Sequence, residues 1–338
     1  MNAPEDNRPR FRDGTDHVES WFLRANDPSS PRALWLKATV LTRKDGPSVA
    51  EAWCSVFDGE RTAAFRRQVP LDEAMFRTSG EVLETRVDTL ALDLGADGGS
   101  SRGQLGSPSG RVDWDLSLER APGALGRPMR LLPSARLVDA PFPKNKLLTP
   151  FPVAGFSGRL TWDGADWDGA DWDLGGWTGM QGHNWGTAHS PEYAWGHCAF
   201  PDDEAVVEAA SGRIELGRRN SPLFSMLVVR RGGEELRFDR IVDLWRQDAR
   251  LDFPGWTLEM RGRAGRALLE MTGSTRAMVC LGYDNPVRAR SYCLNSKTAR
   301  VRLRVAPRHG AAFELTSEHG GALEFLRPDE VAEVQPVV

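Results

Sequence analysis

Alternation of apolar and polar side chains with a period of two recurs from one end of the chain to the other, and no other feature constrains the fold as much. In Val112-Asp113-Trp114-Asp115-Leu116-Ser117-Leu118-Glu119 the apolar side chains share one face and the polar ones the other, as in a half-buried strand. Val301, Leu303 and Val305 alternate with Arg300, Arg302 and Arg304 in the same way. Leu34, Leu36, Ala38 and Val40 alternate with Trp35, Lys37, Thr39 and Leu41, which predicts an amphipathic strand with one aromatic on its second face. Breakers such as Asn26-Asp27-Pro28, Asp58-Gly59, Asp163-Gly164, Arg231-Gly232-Gly233 and Gly320-Gly321 separate these runs. Helical patterning is limited to a turn or so at Pro70–Phe76 and at Arg327–Val331. Many antiparallel strands with almost no helix predict an all-β barrel or sandwich.

Several segments depart from the alternation. Met1 to Asp16 is polar, contains Pro4 and Pro9, and is expected to be a disordered tail. Gly95 to Gly110 is rich in Gly and Ser and reads as a long flexible hairpin loop. Asp163 to Asp173 is a five-residue duplication, DGADW-DGADW-D. Its carboxylates are the oxygen ligands calcium prefers, but their spacing matches no calcium repeat, and a lengthened surface hairpin is expected.

A net charge of -4 and a pI near 5.9, with Lys and Arg scattered among acidic residues, leave no basic footprint for nucleic acid. Apolar runs such as Phe224–Val229 fall far short of the roughly 20 residues of a membrane span. No apolar signal-peptide core opens the chain, so a cytoplasmic location without a transmembrane segment is expected. Cys54, Cys198, Cys280 and Cys293 are too far apart to suggest a zinc cluster or a disulfide scaffold and are expected to be reduced, mostly buried thiols. No G-x-S-x-G elbow, P-loop or dinucleotide fingerprint is present, and no cofactor is implied. Twelve Trp against 3 Tyr, with 34 Gly, suit sheets wrapped around bulky apolar cargo and equally suit a large β core.

Residues 176 to 198 hold the most unusual chemistry. His183, His189 and His197 lie there with Trp177, Trp185 and Trp195, and with Gln181, Asn184 and Tyr193. On one strand, Gln181, His183 and Trp185 share a face, and on the next Tyr193, Trp195 and His197 do the same. So many buried polar groups need partners, either one another or a ligand. The segment therefore reads as a network locking a barrel end or as the wall of a pocket, and the unequal His spacing fits no metal signature.

The run Gly-Met-Gln-Gly-His-Asn-Trp-Gly (179–186), followed by Tyr-Ala-Trp-Gly-His-Cys (193–198), resembles the AttH/hydroxyneurosporene-synthase-like family. That group includes carotenoid hydratases and is distantly similar to tocopherol cyclases and lipocalin-like Diels–Alderases. Flanking matches at His17–Ala25, Ala33–Leu36, Pro152–Gly158, Asp284–Pro286 and Cys293–Lys297 extend the resemblance over nearly the whole chain. It implies two lipocalin-like antiparallel β-barrel domains, over 17–175 and 176–338, the second carrying the His-Asn-Trp-Gly segment, with a hydrophobic pocket near their junction.

The family's hydratases and cyclases act on isoprenoids and polyenes. Protonating an unactivated double bond needs an acid in a dry pocket, and Trp faces stabilise the resulting cation by about 2 kcal/mol or more when desolvated. His183 beside Trp185 matches the family's His-x-Trp element and would relay a proton or orient water. Where those hydratases carry Tyr-x-Asp, Tyr193-Ala194 is followed here by Trp195. Glu208, in register with Val206 and Ala210, is the substitute acid, with Asp243 as a second candidate. The expected activity is a cofactor-independent hydratase, cyclase or isomerase of a small hydrophobic molecule. His183, Tyr193 and Glu208 would be catalytic, and Trp177, Gln181, Asn184, Trp185, Trp195 and His197 would bind substrate. A pericyclic cyclase needs only a shaped apolar pocket, and a non-catalytic carrier of an isoprenoid, polyene or polyketide-like ligand needs less still.

Overall fold

The computed structural model describes residues 6–108, 110–164, 167–216, 219–244, 246–287 and 289–337. Nearly all regular structure is antiparallel strand, and helical elements such as Leu71–Glu73 and Thr275–Ala277 are single 3-10 turns of three residues. The expected turn near 327–331 is replaced by a bend and an isolated bridge between Val331 and Val334. No helix among the described residues is long and apolar enough to cross a membrane.

Apart from a two-stranded ribbon of Glu215–Leu216 with Arg219–Asn220, the strands form two curled half-barrel sheets of the lipocalin-like kind. The first has 13 strands, with His17–Asn26 pairing Arg32–Thr42 on one side and Trp177–Gly186 on the other. The second has 10 strands, with Tyr193–Phe200 lying between Ala205–Gly212 and Phe313–Arg327. Trp177–Gly186, expected in the second barrel, instead closes the first by joining His17–Asn26 to Asn145–Gly164. The change of sheet therefore falls between Gly186 and Tyr193 and not at 175. The duplication folds as the expected hairpin, with Trp167–Asp173 returning along Asn145–Gly164, although residues 165–166 lie outside the described residues.

Each sheet encloses its own apolar core. One is built around Trp21, Leu36, Trp114 and Trp177, the other around Trp256, Leu269, Leu303 and Phe325. A third cluster, with Phe22, Trp35, Trp53, Trp195 and Val228, joins them across the junction. Each such large side chain contributes about 1.5–3 kcal/mol when fully buried. The junction also explains where alternation fails. Val301 to Val305 alternate buried and exposed, but Cys293 to Lys297 in the same strand are buried on both faces, because the first sheet covers them. Arg32–Thr42 is likewise buried on both faces and not amphipathic, with Leu34 and Leu36 in the first core and Trp35 at the junction.

Two Gly- or polar-rich segments are more ordered than expected. Gly98–Ser107 is a strand paired with Gly110–Arg120. Glycine is needed there by crowding: a Cβ at Gly98 would lie 2.5 Å from the Leu118 carbonyl oxygen, and one at Gly103 would lie 2.5 Å from the Trp114 ring. Within the segment expected to be a disordered tail, Asp6 and Asn7 are buried. Asn7 and Gln181 exchange amide hydrogen bonds of 2.9 and 3.2 Å, and Trp21 Nε1 donates to the Asn7 carbonyl at 2.9 Å. Polarity there reflects partners inside the fold and not solvent.

Candidate active site

The His-Asn-Trp-Gly strand presents two faces with different tasks. Gln181, His183 and Trp185 share a face, as expected, but that face is turned toward the N-terminal segment. His183 is fully buried, with Nδ1 2.6 Å from the Asp6 carbonyl oxygen and Nε2 2.8 Å from Glu19 Oε1. Both ring nitrogens are therefore engaged within the fold, one by a backbone carbonyl and one by a carboxyl group. Trp21 stacks on it at 4.9 Å. Trp185 packs with Leu132 and Leu148 beneath the Arg10 guanidinium, and Trp177 lies in the first core. None of Trp177, Gln181, His183 and Trp185 borders the cavity between the sheets.

The opposite face carries Asn184, and it borders a cavity of about 550 Å³ between the two sheets. The body of the cavity is apolar, with Leu131, Leu132, Leu147, Phe224 and Met226 on its walls. Phe142 and Ile241 also line it yet are 50 % and 69 % exposed, which places them at the mouth. Gly182 is what lets the first sheet approach so closely here, since a Cβ on it would lie 2.2 Å from the Phe22 ring. Phe22 in turn meets Trp195 edge to face at 6.1 Å.

Of the other expected site residues, Tyr193 and Trp195 line the cavity. His197 shares their face but lies deeper, fully buried. Its Nδ1 accepts from Arg24 Nη2 at 3.1 Å and its Nε2 donates to the Pro152 carbonyl at 2.9 Å. Burial, then Arg24, pushes its pKa well below the ordinary histidine value, so it is a neutral docking residue between sheets. Glu208 is inward and fully buried, as its register implied. Its Oε1 accepts from Thr149 Oγ1 at 2.7 Å and Trp195 Nε1 at 3.2 Å, and burial raises its pKa to about 7. It stands behind Trp195 and is not on the cavity wall. Asp243 packs beside Gly262, also away from the wall.

The polar end of the cavity is made by residues that the sequence reading did not select. Lys37, Tyr193, Tyr283 and Glu324 all border it, and Lys37 and Tyr283 are only 5 % and 6 % exposed. Glu324 Oε1 accepts from Lys297 Nζ at 2.5 Å and from Asn295 Nδ2 at 3.1 Å. Cys293, Asn295 and Lys297 reach it together because they alternate along one strand. Burial, then Cys293 and Glu324, holds the phenols of Tyr193 and Tyr283 well above the ordinary tyrosine pKa, so both remain protonated donors. Lys37 Nζ lies 3.8 Å from the Tyr283 ring centre, 5.2 Å from Trp35 and 5.3 Å from Trp53. One signal for this end was in the sequence: polar residues at every second position of Cys293–Lys297. Lys37 between two apolar neighbours was another. The four cysteines are free and buried, as expected.

No family model matches the chain. It is 25 % identical over 317 residues to the uncharacterized protein Rv0493c of Mycobacterium tuberculosis, covering 89 % of this chain and 85 % of that one. Among solved structures, CghA with Sch210972 matches with a TM-score of 0.64 at 12 % identity, over 93 % of this chain and 88 % of that one. Kievitone hydratase from Nectria haematococca matches with a TM-score of 0.57 at 10 % identity, over 97 % and 93 %. An AttH protein of Nitrosomonas europaea matches with a TM-score of 0.52 at 11 % identity, over 92 % of each chain. These likenesses span nearly the whole of each chain, and this protein shares the two-part lipocalin-like fold of those solved structures.

Proposed function

We propose that the protein is a cofactor-independent hydratase, cyclase or isomerase of a hydrophobic isoprenoid or polyene, working in the cavity between its two sheets. The observation that carries this reading is one apolar cavity, of ordinary size for a small-molecule site, closed at its inner end by two protonated phenols and a carboxylate. The likeness to kievitone hydratase supports a hydration and the likeness to CghA a related small-molecule chemistry.

The charges at the inner end bear on the route. A bare carbocation would share the Trp35 and Trp195 rings with ammonium groups already 5.2 to 5.5 Å away, those of Lys37 and Lys297. Like charges at that distance oppose it. The site is better suited to developing negative charge on a substrate oxygen. Tyr193 and Tyr283 would donate to a carbonyl conjugated with the polyene and draw electron density toward it, opening the far carbon to water or to an internal partner. The same polarisation favours a pericyclic closure of a substrate held folded by the apolar walls.

The test is to incubate the purified protein with polyenes that carry or lack a conjugated carbonyl and follow products by chromatography and mass spectrometry. A gain of one water marks hydration, and an unchanged mass at a new retention time marks cyclisation or isomerisation. Tyr193→Phe should slow turnover at least about tenfold, the loss of one well-placed hydrogen bond, with binding little changed. Tight binding of every polyene with no conversion of any would leave the protein a carrier.

A further inference from the structure

We propose that the ligand of this cavity is an amphipathic acid, whose ionised carboxylate pairs with Lys37 at the inner end while its apolar body extends toward the mouth. The inference rests on the cavity being the substrate site and adds the chemical class of its ligand.

Four cations border the cavity: Lys37, Lys144, Lys146 and Arg213. Three are matched within the fold. Lys144 Nζ lies 3.5 Å from Glu215, Lys146 Nζ donates to the Pro143 carbonyl at 2.8 Å, and Arg213 donates to Glu192 at 2.8 Å and to the Ser221 carbonyl at 3.0 Å. Lys37 alone has no hydrogen bond and no ion pair among the described residues; its ammonium group lies over the rings of Trp35, Trp53 and Tyr283.

The carboxylates near Lys37 are engaged elsewhere. Glu51 accepts from Arg66 and from Trp53 Nε1 at 3.1 Å. Asp284 accepts from Arg66 at 3.2 Å and from Arg290 at 3.0 Å. Glu324 accepts from Lys297 and Asn295. Lys37, Arg66, Arg290 and Lys297 thus face three carboxylates, Glu51, Asp284 and Glu324, and the surplus charge is the one on Lys37. A buried cation without an acceptor is costly, and burial accordingly lowers the Lys37 pKa to about 8. An anionic head group would supply both the missing charge and the missing acceptor. A neutral ester or alcohol would supply at most the acceptor.

Cis-parinaric acid, a fluorescent polyene fatty acid, and its methyl ester make a direct test, read by energy transfer from the protein's Trp residues. The acid should bind wild type about tenfold or more tighter than the ester, as a charge-assisted hydrogen bond requires. In Lys37→Met that preference should vanish while the ester still binds and the melting temperature is no lower than in wild type, since a buried charge has been removed, which also shows that the variant is folded. Equal affinities in wild type, or a preference that survives in Lys37→Met, would overturn the acid assignment and leave the cavity reading standing. Binding of neither probe would overturn both.

Discussion

Nε2 of His183 lies 2.8 Å from Oε1 of Glu19, and both side chains are fully buried. Glu19 is the hub of this region. Its carboxylate also accepts from the backbone amides of Arg10 and Phe11 at 2.8 to 3.0 Å and meets His17 Nε2 at 3.1 Å. The pair fastens the N-terminal segment to the first sheet from the side of the strand opposite the cavity.

His183→Ala should therefore destabilise the protein by about 1–3 kcal/mol, the cost of leaving a buried carboxylate and carbonyl short of donors. The affinity of a bound polyene should fall only in proportion to the unfolded fraction. Denaturant unfolding and ligand titration of the same variant check this. Lost turnover with unchanged stability would return His183 to the chemistry. Burial alone would raise the Glu19 pKa, but hydrogen bonds from His17 and His183 outweigh it and the net shift is downward. A depressed carboxyl pKa adds stability that is full above its unfolded value of 4.5 and is lost as pH falls through the lower folded value. His183→Ala should flatten that acid limb.

Gly182→Ala should be costly for a different reason. The added methyl would meet the Phe22 ring at 2.2 Å, and the ring cannot withdraw without disturbing Trp195, which it touches edge to face. Overpacking of this kind costs about 1–3 kcal/mol. Because Phe22 and Trp195 both line the cavity, polyene affinity should fall further than stability does. Unfolding curves and fluorescence titration separate the two losses.

The architecture was legible because alternation is a local signal: Val112 to Glu119 and Val301 to Val305 show in sequence which face meets water. The site was harder to read because its strands are covered on both sides. Where Lys37 and Lys297 lie, nothing in the local pattern separates a side chain aimed at a core from one aimed at a cavity. The conspicuous cluster around His183 was read correctly as sharing a face, yet which face meets the ligand depends on how Trp177–Gly186 is placed between two distant strands. That placement also moved the division between the halves. Tyr193, Trp195 and Asn184 border the cavity because they lie on its side of the same two strands, whereas Glu324 and Tyr283 come to it from far along the chain.

Glu208 should show in the pH dependence of stability. Its folded pKa is raised by burial to about 7 from 4.5, so the folded state holds a proton that the unfolded state releases between those values. Stability must fall as pH rises from 4.5 through 7. Glu208→Gln keeps an oxygen to accept from Thr149 and Trp195 and removes the titration. The variant should gain up to about 3 kcal/mol relative to wild type above pH 8, with little difference at pH 4. Chemical denaturation at the two pH values measures it. Because Glu208 lies behind Trp195 and off the cavity wall, turnover per folded molecule should change little.

Lys37 should produce the opposite slope in the empty protein and a fall in affinity in the loaded one. Its folded pKa is lowered to about 8 from 10.5, so above pH 8 the unfolded chain binds the extra proton and stability rises with pH toward 10.5. Over the same range the ammonium needed to pair with a carboxylate is lost, so the affinity of the acid should decline as pH rises through 8. The methyl ester, which has no charge to match, should bind equally across it. The other groups facing Lys37 are Glu51, Arg66, Cys293 and Glu324, with Lys297 across the Trp35 ring and the phenols of Tyr193 and Tyr283 on the same cavity. Burial holds the phenols and the Cys293 thiol protonated throughout this range. Lys297 is lowered by burial as well, against the pull of Glu324, so an assignment to Lys37 needs the Lys37→Met variant. Fluorescence titration of acid and ester over roughly pH 6.5 to 9.5 should show a slope for the acid in wild type and none in Lys37→Met. A slope of equal size in both would place the titrating cation at Lys297.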